Sequence, residues 1–200
     1  TASFDVLARH DAWGPFSAGA VGGRAAWESF GFAGGLFTPD SERLSGGVFA
    51  FQEVDVETVR FEVGVRYDRI QTEPLRPDPD SDIGNVRTRG FGAFSGSIGM
   101  LVNAADGLTL GASASRAFRT PDVNELYSEG PHLAAYSFEV GNPSLNEEVG
   151  TGFDVFARVH SDRVHAELTG FLNEISGFVF GRETGELSRT RLPIYQFFGE

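Results

Sequence analysis

Val59-Arg60-Phe61-Glu62-Val63-Gly64-Val65-Arg66-Tyr67-Asp68 alternates apolar and polar side chains without a break. Successive side chains of an extended chain point to opposite faces. This period of two therefore places Val59, Phe61, Val63, Val65 and Tyr67 on one side of a β-strand and Arg60, Glu62, Arg66 and Asp68 on the other. A strand with one apolar and one charged face has two homes. In a soluble sandwich the apolar face packs a core, whereas in a membrane barrel it meets lipid and the polar face lines a wet lumen.

The same period runs outward in both directions. Phe4, Val6 and Ala8 alternate with Asp5, Leu7 and Arg9, and Leu108, Leu110, Ala112 and Ala114 alternate with Thr109, Gly111, Ser113 and Ser115. Phe153, Val155, Ala157 and Val159 face away from Asp154, Arg158 and His160, as Val164, Ala166 and Leu168 do from His165, Glu167 and Thr169. Connection lengths separate the two homes better than periodicity does. Short turns at 11–14, 54–57, 103–107 and 161–162 take turns with long connections near 29–44, 71–88, 118–149 and 182–189. An up-and-down barrel of an outer membrane has this rhythm, with tight periplasmic turns and long outer loops. Strands of about 9 to 15 residues also suit a crossing, which needs ~9–11, better than soluble sheets, whose mode is ~5–6. These readings predict an all-β, antiparallel, up-and-down transmembrane β-barrel. The count of about nine strands is odd and unclosed, so the barrel is partial and belongs to a larger one.

Composition agrees. The 200 residues hold 26 Gly and 19 Phe, suited to strands that pack closely or bend, and no apolar run is long enough for a membrane helix. A mean hydropathy of −0.15 is compatible with barrel strands, which dilute their own hydropathy by alternating. The net charge of −12 and the lack of a basic stripe argue against nucleic acid. With no cysteine, disulfides, thiolate metal sites and thiol enzymes drop out. No nucleophile elbow, paired-carboxylate site or phosphate loop stands out, so the expectation is a non-enzyme without a cofactor. The chain begins at Thr1 without a signal peptide and reads as a fragment.

Two phrases carry a family resemblance. Ser115-Arg116-Ala117-Phe118-Arg119-Thr120-Pro121-Asp122-Val123-Asn124-Glu125-Leu126-Tyr127-Ser128-Glu129-Gly130-Pro131-His132 resembles a stretch of the barrels of TonB-dependent receptors. Phe138-Glu139-Val140-Gly141-Asn142-Pro143-Ser144-Leu145-Asn146-Glu147-Glu148 is similar to that family's entry into the following strand. Gly64-Val65-Arg66-Tyr67-Asp68 and residues 196–200 are compatible with it, so the likeness spans most of the chain. The resemblance implies that residues 1–200 are part of the receptor's β-barrel domain in a bacterial outer membrane. It implies a plug domain and a TonB-engaging box that lie outside this chain, and about 22 strands in the whole barrel. The implied function is active import of a metal or metal complex (ferric siderophore, haem or zinc). The implied partners are the TonB complex, outer-membrane lipid and lipopolysaccharide, and the substrate. A passive porin-like or adhesin barrel without a plug is the alternative, and a membrane-embedded hydrolase is a third.

In such receptors outer loops help to close over substrate, which makes Arg119, Glu125, Tyr127, His132 and Glu139 in the 118–149 connection the substrate-loop candidates. The competing expectation is that Arg119, Glu125 and Glu139 pair to brace that loop. His132, beside Glu129 and Glu139, is a candidate metal ligand, and a surface histidine is the bland alternative. Arg60, Glu62, Arg66, Asp154, Arg158 and Glu167 are expected to face the lumen. His160 and His165 flank a tight turn, which places them at the periplasmic rim rather than in a metal site. The run Asp78-Pro79-Asp80-Ser81-Asp82 offers oxygen ligands for Ca²⁺ but lacks an EF-hand loop, so it reads as a solvated loop. Phe16, Trp27, Phe30, Phe32, Phe37, Tyr67, Tyr127, Tyr195, Phe197 and Phe198 are expected to form aromatic girdles at the lipid interfaces.

Overall fold

A computed structural model describes residues 1–31, 38–75 and 86–200. Eight strands form one sheet in which every neighbour is antiparallel and the order follows the chain. They are β1 (Ala2–His10), β2 (Ala18–Phe30), β3 (Ser41–Val56), β4 (Val59–Pro74), β5 (Arg89–Ala105), β6 (Leu108–Arg119), β9 (Glu148–His160) and β10 (His165–Ser176). Between β6 and β9 lie a short helix, α1 (Val123–Tyr127), and the hairpin β7 (Glu129–His132) and β8 (Ser137–Val140). After β10 come β11 (Val179–Leu187) and β12 (Pro193–Gly199).

The alternation read from 59–68 sets the register. Arg60 stands opposite Asp55 on β3, Glu62 opposite Gly99 on β5, and Ser113 opposite both Gly99 and Asp154. Arg158 then faces Glu167. Because direct partners share a face, Arg60, Glu62, Arg66, Asp154, Arg158 and Glu167 all lie on one side. The other side carries Val48, Val63, Val65, Phe94, Ile98, Phe153, Val155 and Leu168, all exposed. A water-soluble sheet would cover that surface, since leaving so many large apolar side chains in water forgoes about 25 cal/mol per Å² of burial. Lipid is the solvent that suits it.

Tight turns fall at the end where short ones are expected. Glu57 takes a φ of 52° in the two-residue link between β3 and β4, and Gly107 one of 74° between β5 and β6. Positive φ is what a two-residue hairpin with the right strand twist demands. At Gly107 any Cβ would also strike the carbonyl of His160.

Two expectations about strands are revised. The connection expected at 182–189 is mostly strand, since β11 runs to Leu187 and only 188–192 turn back. The C-terminal strands also leave the large sheet. β11, β12, β8 and β7 form a second, four-stranded sheet, with β12 parallel to β8 and the other pairs antiparallel. Among the described residues eight strands therefore build the wall, where about nine were expected, and the remainder builds a cap.

Candidate functional site

The buried apolar cluster of the described residues is at the outer end of the wall. Phe91, Leu126, Tyr127, Leu145 and Val179 are each no more than 5% exposed, with Val86, Val123 and Phe197 packed against them. Phe91 shares its face of β5 with Ser95, Ser97 and Gly99, the polar inner side. Residues 120–147 therefore turn inward and rest on the inner face rather than standing out from the rim. The aromatic-girdle expectation is corrected here for Tyr127 and Phe197, which fill this core. Trp27 and Phe30 remain exposed near the outer end of β2, Tyr67 is inside β4, and Phe32 and Phe37 lie outside the described residues. So does the acidic run 78–82.

Polar contacts tie the cap to several strand ends. The helix begins with a capping box: Asp122 receives the amide of Glu125, and the Glu125 carboxylate accepts the amide of Asp122 at 2.7 Å. Arg119, the last residue of β6, then clamps both sides of the segment. Its Nη1 and Nη2 donate to Glu125 at 2.9 and 3.0 Å, while Nε and Nη2 donate to Glu148 at 2.7 and 2.6 Å. Two-pronged guanidinium–carboxylate pairs fix orientation as well as distance. Glu148, only 10% exposed, also accepts the amide of Val179, joining the wall to β11. Thr38 donates to Asn124, Arg43 to Thr120 and Arg89 to the Leu145 carbonyl. The Asn142 side chain donates to the carbonyl of Phe197, and Tyr127 Oη donates to that of Arg87 at 2.8 Å. Burial pushes the Tyr127 phenol up to about 12, so it remains a donor throughout the neutral range.

Gly141 shows how tightly the segment closes. A Cβ there would come within 2.6–2.7 Å of the Leu126 and Tyr127 backbone, so the G-N-P phrase needs glycine for a close approach and not for an unusual φ.

Among the substrate-loop candidates, the structure brings Arg119 and Glu125 together, buries Tyr127 in the apolar cluster, and sets His132 and Glu139 apart on the β7–β8 hairpin. His132 Nδ1 is 2.6 Å from Glu139 Oε1. Glu139 is therefore not the second carboxylate of the Arg119 brace; that group is Glu148. The pairing was hidden because Arg119 and Glu148 are 29 residues apart, although they face each other as the last and first pairs of β6 and β9. The hairpin turn exposes Leu133 and Tyr136, at 67% and 75%. Among the described residues no group of three or more His, Asp or Glu side chains is placed to hold a metal ion.

On the inner face of the wall, charges pair locally. Arg60 grips Asp55 through Nε and Nη2 at 2.7 and 3.1 Å, and Arg66 grips Asp68 at 2.6 and 2.5 Å. Arg158 donates to Glu167 at 2.9 Å, and Ser113 Oγ donates to Asp154 at 3.3 Å. Glu62 faces Glu53 across the ladder. The result is a polar, mixed-charge surface backed by an apolar one.

A long-stranded antiparallel wall, apolar outside and charged inside, with a packed cap at the long-loop end, defines a segment of a large transmembrane β-barrel. The family model for TonB dependent receptor-like β-barrels matches residues 1–197, and the chain belongs to that family. Its members' barrels occupy the outer membrane of Gram-negative bacteria, and this chain is an outer-membrane wall of the same kind. Solved structures share the fold. A double mutant of the Serratia marcescens hemophore receptor HasR, in complex with its hemophore HasA and heme, aligns with TM-score 0.75 and 15% identity over 98% of this chain and 36% of that one. The copper transporter OprC aligns with TM-score 0.71 and 20% identity over 94% of this chain and 32% of its own. The FrpB iron transporter from Neisseria meningitidis aligns with TM-score 0.59 and 12% identity, covering 90% and 28%. This chain thus spans about a third of the receptors it matches.

Proposed function

We propose that this chain forms part of the wall and mouth of a TonB-dependent receptor that actively imports a metal or metal complex, in the class of ferric siderophores, haem and zinc or copper species. The observation that carries the reading is the inward-folded cap of residues 120–147, clamped by Arg119 between Glu125 and Glu148 over the polar face of the wall. A passive pore gains little from a packed structure built into its mouth, whereas a gated importer needs a defined surface there. The matched structures described as a hemophore receptor, a copper transporter and an iron transporter are the support for the substrate class.

Within the cap the candidates divide by task. Arg119, Glu125 and Tyr127 hold the ledge in place. His132 and Glu139, beside the exposed Leu133 and Tyr136, present the contact surface for an arriving substrate. Arg60, Glu62, Arg66, Asp154, Arg158 and Glu167 face the plug or the passing substrate. TonB would act through the region outside this chain, and lipid and lipopolysaccharide would meet the apolar face. No step of this function asks for a resident cofactor or bond-making chemistry.

Uptake by metal-starved cells expressing the full-length protein tests the proposal. Accumulation of labelled metal chelate is expected to depend on the protein and to disappear when TonB is deleted or the inner-membrane proton gradient is collapsed. Uptake that persists without TonB, together with steady ion conductance in planar bilayers, would favour the passive-pore reading instead.

A further inference from the structure

The turn between β9 and β10 brings two histidines face to face. His160 and His165 are direct cross-strand partners, and their rings lie 4.2 Å apart between centroids with a 43° tilt. The amide of His160 donates to the Gly107 carbonyl on the opposite neighbour, at 2.7 Å. Its backbone polar groups therefore point away from β10, which makes this the non-hydrogen-bonded kind of pair. In such pairs the Cα atoms approach to about 4.5 Å and the side chains are at their closest. Both histidines share the inner face with Arg158 and Glu167, the next pair along, and these four residues with Val159 and Ala166 line an open recess. The Arg158–Glu167 ion pair cancels the guanidinium charge that would otherwise repel a cation.

We propose that His160 and His165 form a two-histidine site for a late first-row divalent cation, Cu²⁺ or Zn²⁺, at the periplasmic end of the inner wall. Imidazole nitrogens bind such ions at about 2.0–2.1 Å, so two ligands of one tetrahedral ion sit a little over 3 Å apart. The two rings, tilted by 43° with centroids 4.2 Å apart, already lie close to that spacing. Nitrogen donors favour Cu²⁺ above its neighbours in the series. Water fills the remaining positions, so the ion is held in an exchangeable way and not as in a closed structural site. The site follows from strand register and stands whether or not the barrel's cargo is a metal.

The test uses the full-length receptor, folded in detergent micelles and titrated with Cu²⁺ alone. The wild type is expected to bind an ion whose electron paramagnetic resonance spectrum carries coupling to two imidazole nitrogens, and Zn²⁺ should compete for it. His160→Ala or His165→Ala should weaken that binding at least ten-fold and leave coupling to one nitrogen, and the double variant should bind one Cu²⁺ fewer per chain. Both side chains are exposed, so the variants are expected to keep the heat-resistant gel mobility of the folded barrel. His160→Gln and His165→Gln, which keep a polar side chain without a comparable metal donor, repeat the test if alanine disturbs the turn. A double variant with the wild-type stoichiometry and affinity, or single variants with an unchanged spectrum, would overturn the site.

Discussion

Replacing Arg119 by alanine is expected to loosen the cap by about 2–3 kcal/mol while the wall stays folded. The substitution strands two carboxylates, Glu125 and Glu148, whose side chains are only 15% and 10% exposed. Removing one partner of a buried pair costs more than the pair's net worth, because the remaining charge loses its compensation; for fully buried pairs the loss is about 3–5 kcal/mol. Arg119 itself is 40% exposed, so water recovers part of the difference and the lower figure applies. Hydrogen exchange should report it: amides of α1 and of the β7–β8 hairpin exchange roughly 30- to 150-fold faster, as 2–3 kcal/mol implies. Amides of β4 and β5 should be unchanged. Equal acceleration in the wall would mean that the cap and wall form one cooperative unit.

The second large effect belongs to the lipid face. Val63→Arg is expected to destabilise the barrel by about 2–4 kcal/mol if the residue lies near the bilayer midplane, because a guanidinium there replaces an apolar group in contact with acyl chains. Glu62→Gln, one residue away on the opposite face, should change stability by less than about 0.5 kcal/mol, since its environment is wet in both cases. Urea titrations in lipid vesicles measure both. The informative quantity is the contrast between adjacent positions, since a soluble core would also be damaged by an arginine at Val63.

The wall was legible in the sequence because one rule governs it. In a two-sided strand, side-chain polarity, register and solvent all follow from a period of two, and each long run from Phe4 to Leu168 obeys it. The connection at 118–149 could be bounded almost to the residue for the same reason, since the alternation stops at Arg119 and resumes at Glu148. The cap was not legible. Val179 to Gly199 mixes glycine, threonine and charge without a clean period, and β12 pairs in parallel with a strand more than fifty residues earlier, which no local pattern encodes. Tyr127 and Phe197 looked like interfacial aromatics because their residue type is the same in either setting; only the inward turn of the cap separates a girdle from a core. The resemblance in Ser115–His132 and Phe138–Glu148 pointed to the right segment, yet it could not say that Glu148 rather than Glu139 completes the Arg119 clamp. That choice depends on where β6 and β9 meet.

Alternate residues of β4 meet lipid and water, and because this sequence holds no cysteine that alternation is directly measurable. Single cysteines placed in turn at positions 60 to 67, spin-labelled and reconstituted in vesicles, should show oxygen accessibility peaking at 61, 63, 65 and 67. Accessibility to a water-soluble nickel chelate should peak at 60, 62, 64 and 66. A flat profile, or one in which all eight positions behave as wet, would contradict the transmembrane wall on which the rest depends.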